Sequence, residues 1–195
     1  MSDMRICFIG DSFVNGTGDP EKLGWTGRLC AWAETPEREV TCYNLGIRRN
    51  TSEDILARWE NECIARLNEM GDTRFVFSFG VNDCIMENGT LRVAPGQSLA
   101  NARVILAKAA AMRPTLMIGP PPIDDDTING RIRSLDTALS DLCKELDIPY
   151  LSVFETLLAS PLWKKEVASN DGAHPKAAGY AYLAERIHEW KAWWF

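Results

Sequence analysis

Apolar positions recur along this chain with two periods. Met4 to Ile9 is rich in aliphatic residues and stops at Gly10, which predicts a buried strand. Trp25, Leu29 and Trp32 then fall at helical spacing between Trp25 and Ala33. Val40 to Tyr43 reads as a second strand. Thr51 predicts a helix start, with Asp54 three residues on as its capping-box partner. Ile55, Leu56, Trp59, Cys63, Ile64 and Leu67 form the apolar stripe of that helix, and Gly71 predicts its end. Phe75 to Phe79 is apolar except for Ser78, and so continuous a run suits a strand covered on both faces. Val81 to Gly96 reads as a loop. Ser98 to Met112 follows as a helix carrying Leu99, Ala102, Leu106 and Ala110 on one side. Pro114 precedes a fourth strand, Leu116 to Ile118; another helix ends near Leu146; Pro149 introduces a fifth strand, Tyr150 to Val153. A closing helix is expected from Pro175, a favourable first-turn residue, to the C-terminus.

Repeated alternation of strand and helix predicts an α/β fold with a parallel sheet covered by helices on both faces. At 195 residues, with no internal repeat or linker, residues 1–195 read as one domain. Apolar content of 46% and charged content of 25% place the chain among soluble globular proteins. A net charge of -6 argues against a nucleic-acid surface, which carries a basic excess. No apolar run approaches the roughly 18–20 residues that span a bilayer, so no membrane span is expected. The first residues lack a signal-peptide pattern, which leads to a cytoplasmic expectation. Cys7, Cys30, Cys42, Cys63, Cys84 and Cys143 are widely spaced with no CxxC pair. They read as reduced thiols acting as small core hydrophobes rather than as disulfides or zinc ligands.

Four segments carry the candidate chemistry: Gly10-Asp11-Ser12-Phe13, Asn44-Leu45-Gly46, Gly80-Val81-Asn82-Asp83 and Asp171-Gly172-Ala173-His174-Pro175. The first three each follow a predicted strand, and the fourth follows strand five. In doubly wound sheets ligands bind beyond the carboxyl ends of the strands. Residues spread over most of the chain are therefore expected at one edge. Ser12 is the expected nucleophile, and a serine hydroxyl needs an adjacent base to attack near neutral pH. His174 is that base, since an imidazole titrates at about 6.5 and can take and return a proton. Asp171, three residues earlier, is placed to orient the ring and stabilise the imidazolium. A developing oxyanion needs donors already in place. The backbone N–H of Gly46, the Asn82 amide and the Ser12 N–H are the candidates. Asp11, Asn44 and Asp83 read as loop braces, and His188, beside Glu189, as a solvated helix residue.

In order and wording these four segments resemble the SGNH hydrolases, also called the GDSL esterase and lipase family. The resemblance covers nearly the whole chain. It implies a flavodoxin-like three-layer α/β/α sandwich with a five-stranded parallel sheet. It also implies hydrolysis of a small carboxylic ester, thioester or O-acetyl group through an acyl-serine, with no metal and no cofactor. In the family, residues matching Ser12, Gly46 and Asn82 form the oxyanion hole. Two departures stand out. Phe13 replaces the leucine that names the GDSL motif, and Arg49 occupies a place where members often have glycine.

The second departure predicts a different path for residues 47–50, or charge projected over the pocket. On that basis Arg48 or Arg49 is expected to bind an anionic group of the substrate. Ile85, Met86 and Leu91 are expected to line or lid an acyl pocket, and Pro120-Pro121-Pro122 to stiffen another wall. Trp190, Trp193, Trp194 and Phe195 are expected to pack the last helix onto the core, with a homo-oligomer contact as the alternative. Three other functions compete. An acyltransferase would pass the acyl group to an alcohol or sugar. A metal-dependent phosphoesterase would use Asp11, Asp83, Asp171 and His174 as ligands. A silent binding module would leave every catalytic candidate without a purpose.

Overall fold

The computed structural model describes residues 2–67 and 72–195, so the helix end expected at Gly71 lies outside the described residues. In chain order the elements are β1 (Ser2–Gly10), α1 (Ser12–Asn15), α2 (Gly24–Ala33), β2 (Arg38–Gly46), α3 (Ser52–Ile64) and β3 (Asp72–Ser78). A single 3-10 turn at Asn82–Cys84 leads to a small hairpin, β4 (Met86–Glu87) and β5 (Thr90–Leu91). Then follow α4 (Pro95–Met112), β6 (Thr115–Ile118), α5 (Asp126–Glu145), β7 (Tyr150–Leu151), α6 (Phe154–Ala159), α7 (Pro161–Ala168) and α8 (Ala177–His188).

The main sheet has the order β2-β1-β3-β6-β7 and every pair is parallel. This is the flavodoxin-like order expected from the resemblance. The chain leaves β1 toward one edge and leaves β2 toward the other. Because such crossovers are right-handed, the reversal puts helices on both faces. Accordingly α2 packs on α8, whereas α3, α4 and α5 pack side by side in sequence. The central strands are covered on both sides: Ile6, Cys7, Phe8, Ile9, Phe75, Val76, Phe77, Leu116, Met117 and Ile118 are all buried. Their uninterrupted apolar runs are what a two-sided core requires. Register brings Gly10 opposite both Gly46 and Ser78, so the carboxyl ends of β1, β2 and β3 are level. The loops that follow them must therefore start side by side.

The capping box at Thr51 forms as expected: Thr51 Oγ1 accepts from the Asp54 N–H, and Asp54 Oδ2 accepts from the Thr51 N–H. Elsewhere the boundaries differ from the sequence reading. The fifth strand stops at Leu151, and α6 and α7 separate it from Asp171. The segment read as a loop after Val81 contains the hairpin. The last helix begins at Ala177 rather than Pro175, because Lys176 is extended and serves as its N-cap. Its first turn is capped from outside the element, as Glu166 Oε2 on α7 accepts from the N–H groups of Lys176 and Gly179. The helix ends at His188, not at the C-terminus. The tail then turns so that Trp193 is buried, with Trp194 and Phe195 against it. The His188 ring meets Trp32 edge-on at 5.7 Å between centroids. All six cysteines are free thiols, and all but Cys42 are buried.

Candidate active site

Ser12 opens the short helix α1, immediately beyond β1. Its approach is set by two glycines. A Cβ on Gly10 would lie 2.0 Å from the Ser78 carbonyl oxygen, and one on Gly46 would lie 2.2 Å from the Asn15 nitrogen. Neither contact is tolerable, so only glycine lets these backbones meet. Asp11 caps α1, its Oδ1 accepting from the Phe13 N–H at 2.9 Å.

Ser12, His174 and Asp171 form one hydrogen-bonded chain. Ser12 Oγ lies 2.7 Å from His174 Nε2, and His174 Nδ1 lies 2.7 Å from Asp171 Oδ2. The serine and histidine side chains are separated by 162 positions in sequence. Both residues are buried, Ser12 at 5% and His174 at 8% exposure, which shields the Ser–His bond from competing water. The histidine loop is fastened at several points. Asp171 Oδ1 accepts from the backbone N–H groups of Ala173 and His174. Asn170 donates to the His174 carbonyl, and Asp124 N–H donates to the Gly172 carbonyl. The Phe13 ring lies 4.8 Å from the imidazole and stacks on Trp163, whose indole N–H donates to the Pro122 carbonyl. Burial works against the charge on Asp171. The donors from His174 and Ala173 outweigh it and hold the carboxyl below its usual range. The residue is thus a persistent anion facing Nδ1, and it favours a proton there. Nε2 is left to accept from Ser12.

The donor candidates lie at the same edge but differ in availability. Asn82 sits in the 3-10 turn after β3. Its amide donates to the Asn50 carbonyl at 3.0 Å and only distantly to Asp11 Oδ2 at 3.5 Å. One N–H therefore remains weakly engaged. The Gly46 N–H donates to Asn44 Oδ1 at 3.0 Å, so it is occupied in this structure. The Ser12 N–H, at the first turn of α1, has no intrahelical partner. Arg58 on α3 ties the loops together, donating to the Gly10 carbonyl and to Asn50 Oδ1.

The three loop-brace readings also find their partners. Asn44 donates to the Val14 carbonyl and Thr26 Oγ1. Asp83 accepts from the Ser52 N–H and the Ser98 hydroxyl. Asp11 is fully enclosed, and its carboxyl is pushed up to about 7 by burial, against the Phe13 N–H bond, with Asp83 adding to the rise and Arg58 opposing it.

Of the peripheral residues, Arg49 turns to the hairpin and pairs with Glu87 at 3.0 Å. Its backbone is left-handed, with φ 68, a conformation that favours glycine. Arg48 instead borders a cavity of about 330 Å³ with Asn15, Gly16, Thr17, Gly18 and Lys22. Met86 is exposed on the hairpin. Leu91 lines an apolar cavity of about 360 Å³ between the hairpin segment and α5, which includes Asp83 and Cys84. Pro122 borders a further cavity of about 510 Å³ against α7. Sequence reasoning missed Lys22, Asn170 and Glu166, because each acts through a contact that no local pattern announces. Among the described residues, no group of three or more His, Cys, Asp or Glu side chains is placed to hold a metal ion, and no helix is long and apolar enough to cross a membrane.

The model of the GDSL-like lipase/acylhydrolase family matches residues 8–182. The chain belongs to this family. Ester hydrolysis is therefore its general activity. Solved structures share the fold. A lipolytic protein of the G-D-S-L family from Veillonella parvula superposes with TM-score 0.76 at 17% identity, covering 96% of this chain and 97% of that one. A lipase/acylhydrolase from Enterococcus faecalis gives 0.75 at 22%, covering 96% and 93%. An acetylxylan esterase from Geobacillus stearothermophilus gives 0.73 at 20%, covering 93% and 90%. No curated protein matches the chain.

Proposed function

We propose that the protein hydrolyses small carboxylic esters, including thioesters or O-acetyl groups, through an acyl-enzyme on Ser12. The observation that carries this reading is the continuous chain Ser12 Oγ–His174 Nε2–Asp171, with both links at 2.7 Å. In the first half-reaction Ser12 Oγ attacks the ester carbonyl and its proton passes to His174 Nε2. The tetrahedral oxyanion is held by the Ser12 N–H and the Asn82 amide, with the Gly46 N–H joining them when it is shared with or released from Asn44. Collapse expels the alcohol, which takes the proton from His174. In the second half-reaction water attacks the acyl-serine, gives a proton to the same nitrogen, and Ser12 regains it as the acid leaves. Asp171 stays ionised throughout and stabilises the imidazolium.

The proposed scheme calls for no cofactor, because every proton and every bond in it is accounted for by the three side chains and water. Labelling with a fluorophosphonate probe tests the nucleophile. The adduct should map to Ser12 by mass spectrometry and should vanish in Ser12→Ala. Labelling at another serine would overturn the assignment. A p-nitrophenyl ester series of increasing acyl length then defines the acyl preference. Short chains are expected to lead, since the cavity lined by Asn15 to Gly18, just after Ser12 in the chain, has only polar groups and glycine in its wall.

A further inference from the structure

Resting on the acyl-enzyme reading above, we propose that the cavity bordered by Lys22 and Arg48 is a subsite for an anionic group carried by the ester, a carboxylate or a phosphate. The lining of the cavity neighbours three of the four segments that carry the site. Asn15 lies three residues after Ser12 on α1, and the Thr17 N–H donates to the Ser12 carbonyl. Arg48 lies two residues after Gly46, whose carbonyl accepts from Asn15 Nδ2. Gly18 packs so closely on the histidine loop that a Cβ there would lie 3.2 Å from His174 Cβ. A group bound in this cavity is therefore covalently within reach of an ester seated on Ser12.

The lining selects charge. It holds no aliphatic or aromatic side chain, and its two neutral polar side chains are already matched. Thr17 Oγ1 donates to Asn15 Oδ1, and Asn15 Nδ2 donates to the Gly46 carbonyl. The unspent donors are the two cations. Every other arginine of the chain donates a hydrogen bond to a protein acceptor. Among the described residues Arg48 has no such partner, and neither does the Lys22 ammonium. In a chain with 27 acidic residues, Arg48 is thus the exception among the arginines. The acids that flank Lys22 in sequence, Asp19 and Glu21, are both bound by Arg28.

The wall is also held in shape. Lys22 has φ 62, a backbone region that favours glycine, yet the position carries a cation. The loop that bears it is tied down by buried Asp19, which accepts from the N–H groups of Glu21 and Gly24, and by Tyr180, whose hydroxyl donates to the Thr17 carbonyl. The backbone that carries Lys22 is thereby fixed, while its exposed side chain stays free to reach an anion.

The test compares phenyl acetate with 4-acetoxybenzoate and 4-acetoxyphenyl phosphate, which carry a carboxylate or a phosphate on the alcohol side. A second pair, 4-nitrophenyl butyrate and mono-4-nitrophenyl glutarate, places the anion on the acyl side. The measured quantity is the ratio of kcat/KM for the anionic ester to that for its neutral partner. Lys22→Ala and Arg48→Ala should each lower that ratio about 5-fold, mainly through KM, and the double variant about 20-fold, as expected for two partly exposed charges. High salt should lower the wild-type ratio in the same direction. Lys108→Ala, which removes a cation paired with Glu60 on α3, should leave the ratio unchanged. The phosphate and carboxylate arms show which anion is preferred, and the two pairs show which side of the ester faces the cations. If wild type cleaves the neutral esters in a Ser12-dependent manner and the ratios do not move in any variant, the subsite is overturned while the acyl-enzyme reading stands. If no ester is turned over in a Ser12-dependent manner, the reading beneath it falls as well.

Discussion

At the carboxyl ends of the strands, buried polar groups meet in matched pairs: Ser12 with His174, Asp83 with Ser98 and the Ser52 N–H, Asn82 with Asn50. At the amino ends the edge is closed instead by aromatic rings. Trp193 packs on Trp194 and Phe195, while Arg38 lies over Phe195 and Arg74 over Trp194 and Phe195. Among the described residues the buried side-chain atoms with no hydrogen-bond partner are Thr73 Oγ1, Arg186 Nε and Trp193 Nε1, and none lies at the catalytic edge. The contrast shows two uses of the same sheet. One edge requires exact directions, because an unpaired buried donor or acceptor there costs more than a hydrogen bond returns. The other needs only area and shape, so it tolerates a stray N–H within a large apolar contact.

If the edges divide function from stability in this way, substitutions at each should fail differently. Ser12→Ala should lower turnover by about four to six powers of ten while costing only about 1 kcal/mol of urea stability, for the His174 nitrogen left without its partner. A large loss of stability would show that the catalytic edge also holds the fold. Trp193→Ala should do the reverse, destabilising by about 3 kcal/mol with kcat within a few-fold of wild type at temperatures where the variant is folded. A collapse of kcat in a demonstrably folded Trp193→Ala protein would break the division.

A subtler test concerns Asp11, the acid enclosed at the catalytic edge. Its carboxyl is raised from an ordinary value of about 3.9 to about 7, so between those values the folded state binds the proton and the unfolded state does not. Stability contributed by the neutral form is therefore present at low pH and lost as pH rises from about 4 to about 7, by up to about 1.4 kcal/mol per unit. Asp171 has the opposite sign: its lowered value adds stability that is lost on acidification. Asp11→Asn mimics the neutral acid and keeps an acceptor for the Phe13 N–H. Urea midpoints at pH 5 and pH 8 should differ less in this variant than in wild type, and an unchanged difference would remove Asp11 from the account. The smallest effect is expected at Arg49→Gly. Relief of the left-handed backbone should gain about 1 kcal/mol, offset only slightly by loss of the exposed pair with Glu87.

Much of this arrangement was readable from residue order. Continuous apolar runs located β1, β3 and β6, because buried parallel strands admit little else. Thr51 and Asp54 announced the start of α3, since a capping box is local. Ser12, Asp171 and His174 were legible as a group only once strand ends were assigned to a single edge. What escaped was the choice of partner at individual positions. The start of α8 depends on Glu166 from α7, and nothing near Pro175 encodes that carboxylate. Arg48 and Arg49 looked alike, yet Arg49 turns to Glu87 and Arg48 borders the cavity lined by Asn15 to Gly18. Gly46 read as a free donor, but the side chain of Asn44, two residues earlier, takes its N–H.

The sequence by itself determined the alternation of strands and helices and named the candidate reacting groups. Both follow from local periodicity and from which side chains can exchange a proton or carry a nucleophile. Only the tertiary structure decided that Ser12 and His174 touch, that Asp11 is enclosed, and that Lys22 and Arg48 share a cavity. These depend on strand register and on packing between segments far apart in the chain. Burial and electrostatic environment are properties of that packing, and no residue carries them alone.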